Sequence, residues 1–102
     1  MSHCLHTCNQ SPFDNARLAQ ALELAQPEQA LVLLENGVYG TLSASPVAEK
    51  LQALIEQGFR CYALEADVQA RGLEQLLPAI QLISMAEFVE LSAQHNPIQS
   101  WY

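Results

Sequence analysis

The run Ala30-Leu31-Val32-Leu33-Leu34, closed by Glu35-Asn36-Gly37, constrains this chain more than any other stretch. It is uninterruptedly apolar, too short for a buried helix and without a polar face, as a strand covered on both sides must be. Strands covered on both sides belong to parallel sheets, and parallel neighbours need crossover connections, usually helices. The flanking sequence supplies them. From Asn15 to Gln26, Leu18, Ala21, Leu22 and Ala25 recur at helical spacing, with Asp14 or Asn15 as the cap and Pro27 marking the end. A second helix is predicted from Pro46, capped by Ser45, with Val47, Leu51, Leu54 and Ile55 inward and Gly58 at its end.

Further strands fall between these helices. A first strand is predicted over residues 3 to 8, ahead of the turn at Ser11-Pro12-Phe13-Asp14, and Val38-Tyr39 can briefly extend the chain after the second. Phe59 to Leu64 reads as the third strand and residues 65 to 71 as a short helix ended by Gly72. Ala79 to Ile83 reads as the fourth, followed by a helix capped by Ser84 that carries Phe88, Val89 and Leu91 to about Gln94. The tail Ile98 to Tyr102 is a fifth strand or an apolar arm. The expected fold is a single α/β domain over residues 1 to 102, with a mainly parallel sheet of four to five strands and helices on both faces.

Charge narrows the function. Four Lys and Arg against eleven Asp and Glu give a formal charge of −7, the wrong sign for gripping phosphates, so no direct nucleic-acid contact is expected. No stretch approaches the ~20 apolar residues that span a bilayer, and the start Met1-Ser2-His3-Cys4 does not read as a leader. Three cysteines, an odd number, fit reduced thiols in a cytoplasmic compartment. Half the residues are apolar, and a chain of 102 residues leaves much of its surface uncovered, which favours burial against partners.

Few residues offer chemistry. Cys4, His6 and Cys8 alternate along one strand face, but positions two apart lie ~6.6 Å from each other, too far for one tetrahedral zinc with bonds of ~2.0 to 2.3 Å. No metal or cofactor is expected. Cys8, near the carboxyl end of a strand, and Cys61, between Arg60 and Tyr62, are the candidate thiols; both also read as core side chains. Gly37 and Gly40 read as turns, not as a phosphate loop. His6, His95, Ser11 and Asp14 or Asp67 lack the nucleophile-elbow pattern of a hydrolase. Trp101 and Tyr102 are candidate interface anchors, with core packing or a frayed tail as the other readings.

Four stretches, in order and over essentially the whole chain, carry a resemblance. They are Leu5-His6-Thr7 with Ser11-Pro12-Phe13; Leu33 to Tyr39; Tyr62-Ala63-Leu64 with Asp67-Val68-Gln69-Ala70-Arg71-Gly72; and Phe88-Val89 with His95 and Gln99-Ser100-Trp101. Together they resemble the TusB/DsrH family. The resemblance implies a DsrE-like fold and a place in a heterohexamer with two copies each of three related subunits, which passes persulfide sulfur between proteins. In one branch sulfur-carrier proteins deliver it towards 2-thiouridine at the tRNA wobble position; in the other the complex serves dissimilatory sulfur oxidation. The family's essential sulfur-accepting cysteine lies on a sister subunit. Some members carry a cysteine in the first helix, at the position held here by Ala21, and its absence tilts the resemblance towards the tRNA-thiolation branch. A non-catalytic subunit is therefore the first expectation, a persulfide carrier using Cys8 or Cys61 the second, and a free-standing binding module the third.

Overall fold

A computed structural model describes residues 3–102. Its elements run β1 (Leu5–Cys8), α1 (Arg17–Leu24), β2 (Ala30–Leu33), a 3-10 helix (Glu35–Thr41), α2 (Ala48–Glu56), β3 (Arg60–Leu64), α3 (Glu65–Ala70), β4 (Gln81–Ile83), α4 (Met85–Gln94) and β5 (Ile98–Trp101). The strands form one sheet in the order β4-β3-β2-β1-β5, and every neighbouring pair is parallel. The tail is thus a fifth strand, and the expected α/β architecture is the one observed.

Handedness explains where the helices go. From β1 to β4 the chain steps always in one direction, so right-handed crossovers put their connections on one face; the return from β4 to β5 reverses the step and puts α4 on the other. Packing follows that division. Cys8, Leu31, Leu33, Cys61 and Ala63 share a core with Leu18 and Leu22 of α1, Leu51 of α2 and Val68 of α3. The alternate residues Leu5, Ala30, Val32, Leu64 and Ile83 meet Phe88 and Leu91 of α4. All four residues of β2 are buried, as the apolar run predicted, and so are all four of β1.

Four local expectations need correction. The cap position of α1 is Ala16, with no side-chain cap; Asn15 Oδ1 instead accepts the Arg17 N–H at 3.0 Å, inside the turn that Ser11 begins. Ser45 Oγ accepts the Val47 N–H in a similar turn, and α2 begins only at Ala48. Val38 and Tyr39 do not extend the chain: they lie in the 3-10 helix, which crosses the end of β1 so closely that a Cβ on Gly37 would collide with the Cys8 carbonyl. β4 starts at Gln81, two residues after the expected Ala79. Gly58 and Gly72 take positive φ where α2 and α3 end, as glycine C-caps do.

Candidate functional site

Open parallel sheets bind ligands beyond the carboxyl ends of their strands, near the point where strand order reverses. In this sheet that point adjoins β1, whose last residue is Cys8. Beyond it lies an open cleft of about 510 Å³ lined by Ser11, Phe13, Asp14, Asn36 and Tyr39. One wall is the turn after β1. Ser11 Oγ accepts the Phe13 N–H at 3.2 Å and its carbonyl accepts the N–H groups of Asp14 and Asn15, which turns Phe13 outward, 54% exposed.

The other wall is the 3-10 helix, held by α3. Asp67 Oδ2 accepts the Glu35 N–H at 2.7 Å, satisfying a free donor at the helix start where Glu35 takes a φ of +50°. Arg71 donates from Nε and Nη2 to Asn36 Oδ1 at 3.1 and 2.9 Å, and from Nη1 to the Asp67 carbonyl at 3.2 Å. Asp67 and Arg71 form an i,i+4 ion pair at 3.8 Å. Two segments quoted separately from the sequence, around Asn36 and around Asp67, are therefore one bonded unit. The spacing of Asp67 and Arg71 was the available signal for half of it; their reach to residues 35 and 36 had none.

No thiol lines the cleft. Cys8 lies behind it, fully buried, with its Sγ 3.7 Å from the Gln10 carbonyl, and burial pushes its pKa up. Cys61 sits in the same core, and burial drives its thiol far above the usual range. Cys4 is half-buried and also raised by burial, partly opposed by the Gln99 backbone. All three are free. Burial without a cation or a helix N-terminus keeps a thiol protonated and a poor nucleophile.

A second polar group ties both ends of the chain together. Trp101 Nε1 donates to His6 Nδ1 at 3.1 Å, and His6 Nε2 lies 2.8 Å from Gln29 Oε1. Trp101 packs against the larger core with its ring 6.2 Å from that of His6, whereas Tyr102 is exposed. Ala21, at the position where some family members carry a cysteine, faces inward on α1 and is only 2% exposed. His95, on the other face, lies 3.2 Å from Arg60 Nη2 and 2.7 Å from the Leu91 carbonyl.

Comparison with known proteins places these segments in context. Residues 10–98 match the family model described as DsrH like protein. The chain is similar to Protein TusB of Pectobacterium atrosepticum, 35% identical over 95% of this chain and 99% of the relative, and to Protein TusB of Sodalis glossinidius, 38% identical over the same shares. Among solved structures it resembles the ychN protein from E. coli, with a TM-score of 0.88 at 16% identity, covering 98% of this chain and 99% of that one. It also resembles MTH1491, a protein of unknown function from Methanobacterium thermoautotrophicum, with a TM-score of 0.81 at 16% identity and the same coverage. At such identities the structures speak to the fold alone, and they agree with the expected DsrE-like architecture.

Proposed function

The chain belongs to the DsrH-like family, and on that premise we propose that it is a subunit of a sulfur-relay complex serving thiolation of the tRNA wobble uridine. Its relatives named TusB support that branch over sulfur oxidation. In this reading the complex is a heterohexamer of this chain with two related sister subunits and works in the cytoplasm. No helix among the described residues is long and apolar enough to cross a membrane.

The chemistry sets this subunit's part. In each relay step an acceptor thiolate attacks the outer sulfur of a donor persulfide: the S–S bond of the donor breaks, the acceptor becomes the persulfide, and the donor leaves as a thiolate. The acceptor must be ionised and reachable. The single observation that carries the reading is the burial of Cys8 and Cys61 in the core with raised pKa values. A subunit so built shapes and orients the complex, while the sulfur-accepting cysteine sits on a sister chain.

Radiolabelled-sulfur transfer through the reconstituted complex tests this. With Cys4, Cys8 and Cys61 replaced in turn by serine, transfer should persist wherever the complex still assembles. Loss of transfer in an assembled variant would make that cysteine a carrier and end the non-catalytic reading. Failure of the chain to co-purify with the sister subunits would remove the complex itself.

A further inference from the structure

Among the described residues β5 is an edge strand, with β1 on one side and no strand on the other. The Leu5 N–H donates to the Pro97 carbonyl at 3.1 Å, and the register pairs Leu5 with Ile98 and Thr7 with Ser100. In a parallel ladder this fixes the alternation: the amides of Gln99 and Trp101 turn towards β1, and the N–H and C=O groups of Ile98 and Ser100 turn outward. Such an edge is a template for another strand unless charge, proline or a bulge guards it.

The two edges of this sheet differ in that respect. At the far edge β4 is three residues long, and Glu87 and Glu90 line a hollow beside Tyr62 and Gln81. β5 has no guard. Its register with β1 contains no bulge, and no Asp, Glu, Lys or Arg occurs between Glu90 and Tyr102, although the chain carries a net charge of −7. Ile98 is 47% exposed and Tyr102 58%.

We propose that β5 pairs antiparallel with β5 of a second copy of this chain, about a two-fold axis through Ser100. The absence of charge selects the occupant. A two-fold contact sets a surface against itself, so a charge near its axis would face its like, and an acidic chain can meet its own copy only where carboxylates are missing. A basic partner would instead be met by carboxylates. The register follows from the outward groups: Ser100 opposite Ser100 exchanges both backbone hydrogen bonds, and Ile98 of each copy stands opposite Tyr102 of the other on the same face of the joined sheet. Both exposed apolar side chains are then covered.

The inference concerns the chain alone and needs neither the sister subunits nor sulfur, so its test stands apart from that of the relay. Sedimentation of the purified full chain should show a dimer in which the Ile98 and Ser100 amides exchange as slowly as those of Gln99 and Trp101. Ile98→Lys and Tyr102→Asp should each weaken the dimer roughly tenfold or more, since each sets a charge against an apolar partner. The double variant places lysine opposite aspartate and should recover most of the loss. A folded monomer at all concentrations would overturn the proposal. So would a dimer with fast-exchanging Ile98 and Ser100 amides, or a double variant no tighter than the singles. Should a variant lose protection at Gln99 and Trp101, β5 itself has come away, and the exchange pattern of the unaltered chain decides.

Discussion

The two faces of the sheet are made by the same strands yet are covered very differently. Over one face α1, α2 and the β3–β4 connection exclude Leu18, Leu31, Leu33 and Leu51 from water completely. Over the other, among the described residues, lies α4 alone; none of its residues is fully buried, and Met85 and Val89 are about 60% exposed. Strand order dictates the contrast, because three crossovers step one way and one steps back. A small parallel sheet with a single reversal therefore lodges most of its stability on one side.

Substitutions that shorten a leucine on each face measure that imbalance most directly. Leu33→Ala, in the closed core, should destabilise the chain by roughly 2–5 kcal/mol, through lost transfer energy and a residual cavity. Leu91→Ala, half-buried under α4, should cost about 1 kcal/mol, because water already reaches part of the side chain. Urea unfolding of both variants checks this, and equal midpoints would erase the distinction between the faces.

The closed face should also reveal itself at high pH, because Cys8 and Cys61 both point into it. Burial raises both thiols in the folded chain above their unfolded value. Their contribution is accordingly intact below the ordinary thiol pKa and is lost as pH rises beyond it, when the unfolded chain releases protons that the folded one retains. The slope can reach about 1.4 kcal/mol per pH unit for each thiol. Between pH 7 and 8 stability should show no thiol-linked fall. Above about pH 9, where unfolded thiols ionise, it should decline, and Cys61→Ala should decline less steeply than the unaltered chain. Identical slopes would mean that Cys61 is open to solvent.

What α4 lacks in burial it makes up at its start. Ser84 Oγ accepts the Glu87 N–H at 3.1 Å while Glu87 Oε1 accepts the Ser84 N–H at 2.9 Å, a complete capping box. The N-cap positions of α1 and α2, pinned by their apolar sides, have no side-chain cap. Ser84→Ala should cost about 1 kcal/mol and selectively speed amide exchange in the first turn of α4. An unchanged exchange rate there would show that packing, not the cap, holds the helix.

These contrasts also mark how far the sequence can be read. Apolar runs, helical spacing and the glycines at 58 and 72 are local signals, and each appears in the structure near its expected place. Ser84 as the cap of α4 was legible for the same reason, whereas the caps expected at Asp14 or Asn15 and at Ser45 are not used. The larger failures are tertiary. The 3-10 helix replaces an extended Val38-Tyr39 because residue 37 must pass the Cys8 carbonyl, a neighbour set by the pairing of β1 with β2. Asn36 and Arg71 lie 35 positions apart, and His6 and Trp101 lie 95 apart; no local pattern announces either bond. The cleft itself is not foreseen in the sequence: Ser11 and Asp14 are weighed as site residues only for a hydrolase, and Phe13, Asn36 and Tyr39 enter a functional reading only through the resemblance.

The smallest effect expected is also the most specific, because the two buried histidines sit on opposite faces and are held in opposite tautomers. An indole N–H can only donate, so His6 Nδ1 accepts from Trp101 and Nε2 must carry the proton. Gln29 agrees: its Oε1 also accepts the Gln26 N–H at 3.0 Å, which leaves it an acceptor towards His6. On the α4 face a guanidinium can only donate, so His95 Nε2 accepts from Arg60 and Nδ1–H donates to the Leu91 carbonyl. Imidazole nitrogen NMR on the neutral rings should find His6 protonated at Nε2 and His95 at Nδ1. Trp101→Phe would leave a buried acceptor at His6 without its donor and should cost about 1 kcal/mol, while Arg60→Met, whose arginine is exposed, should cost less. Were the two rings found in the same tautomer, at least one of these donors would not be where the fold puts it.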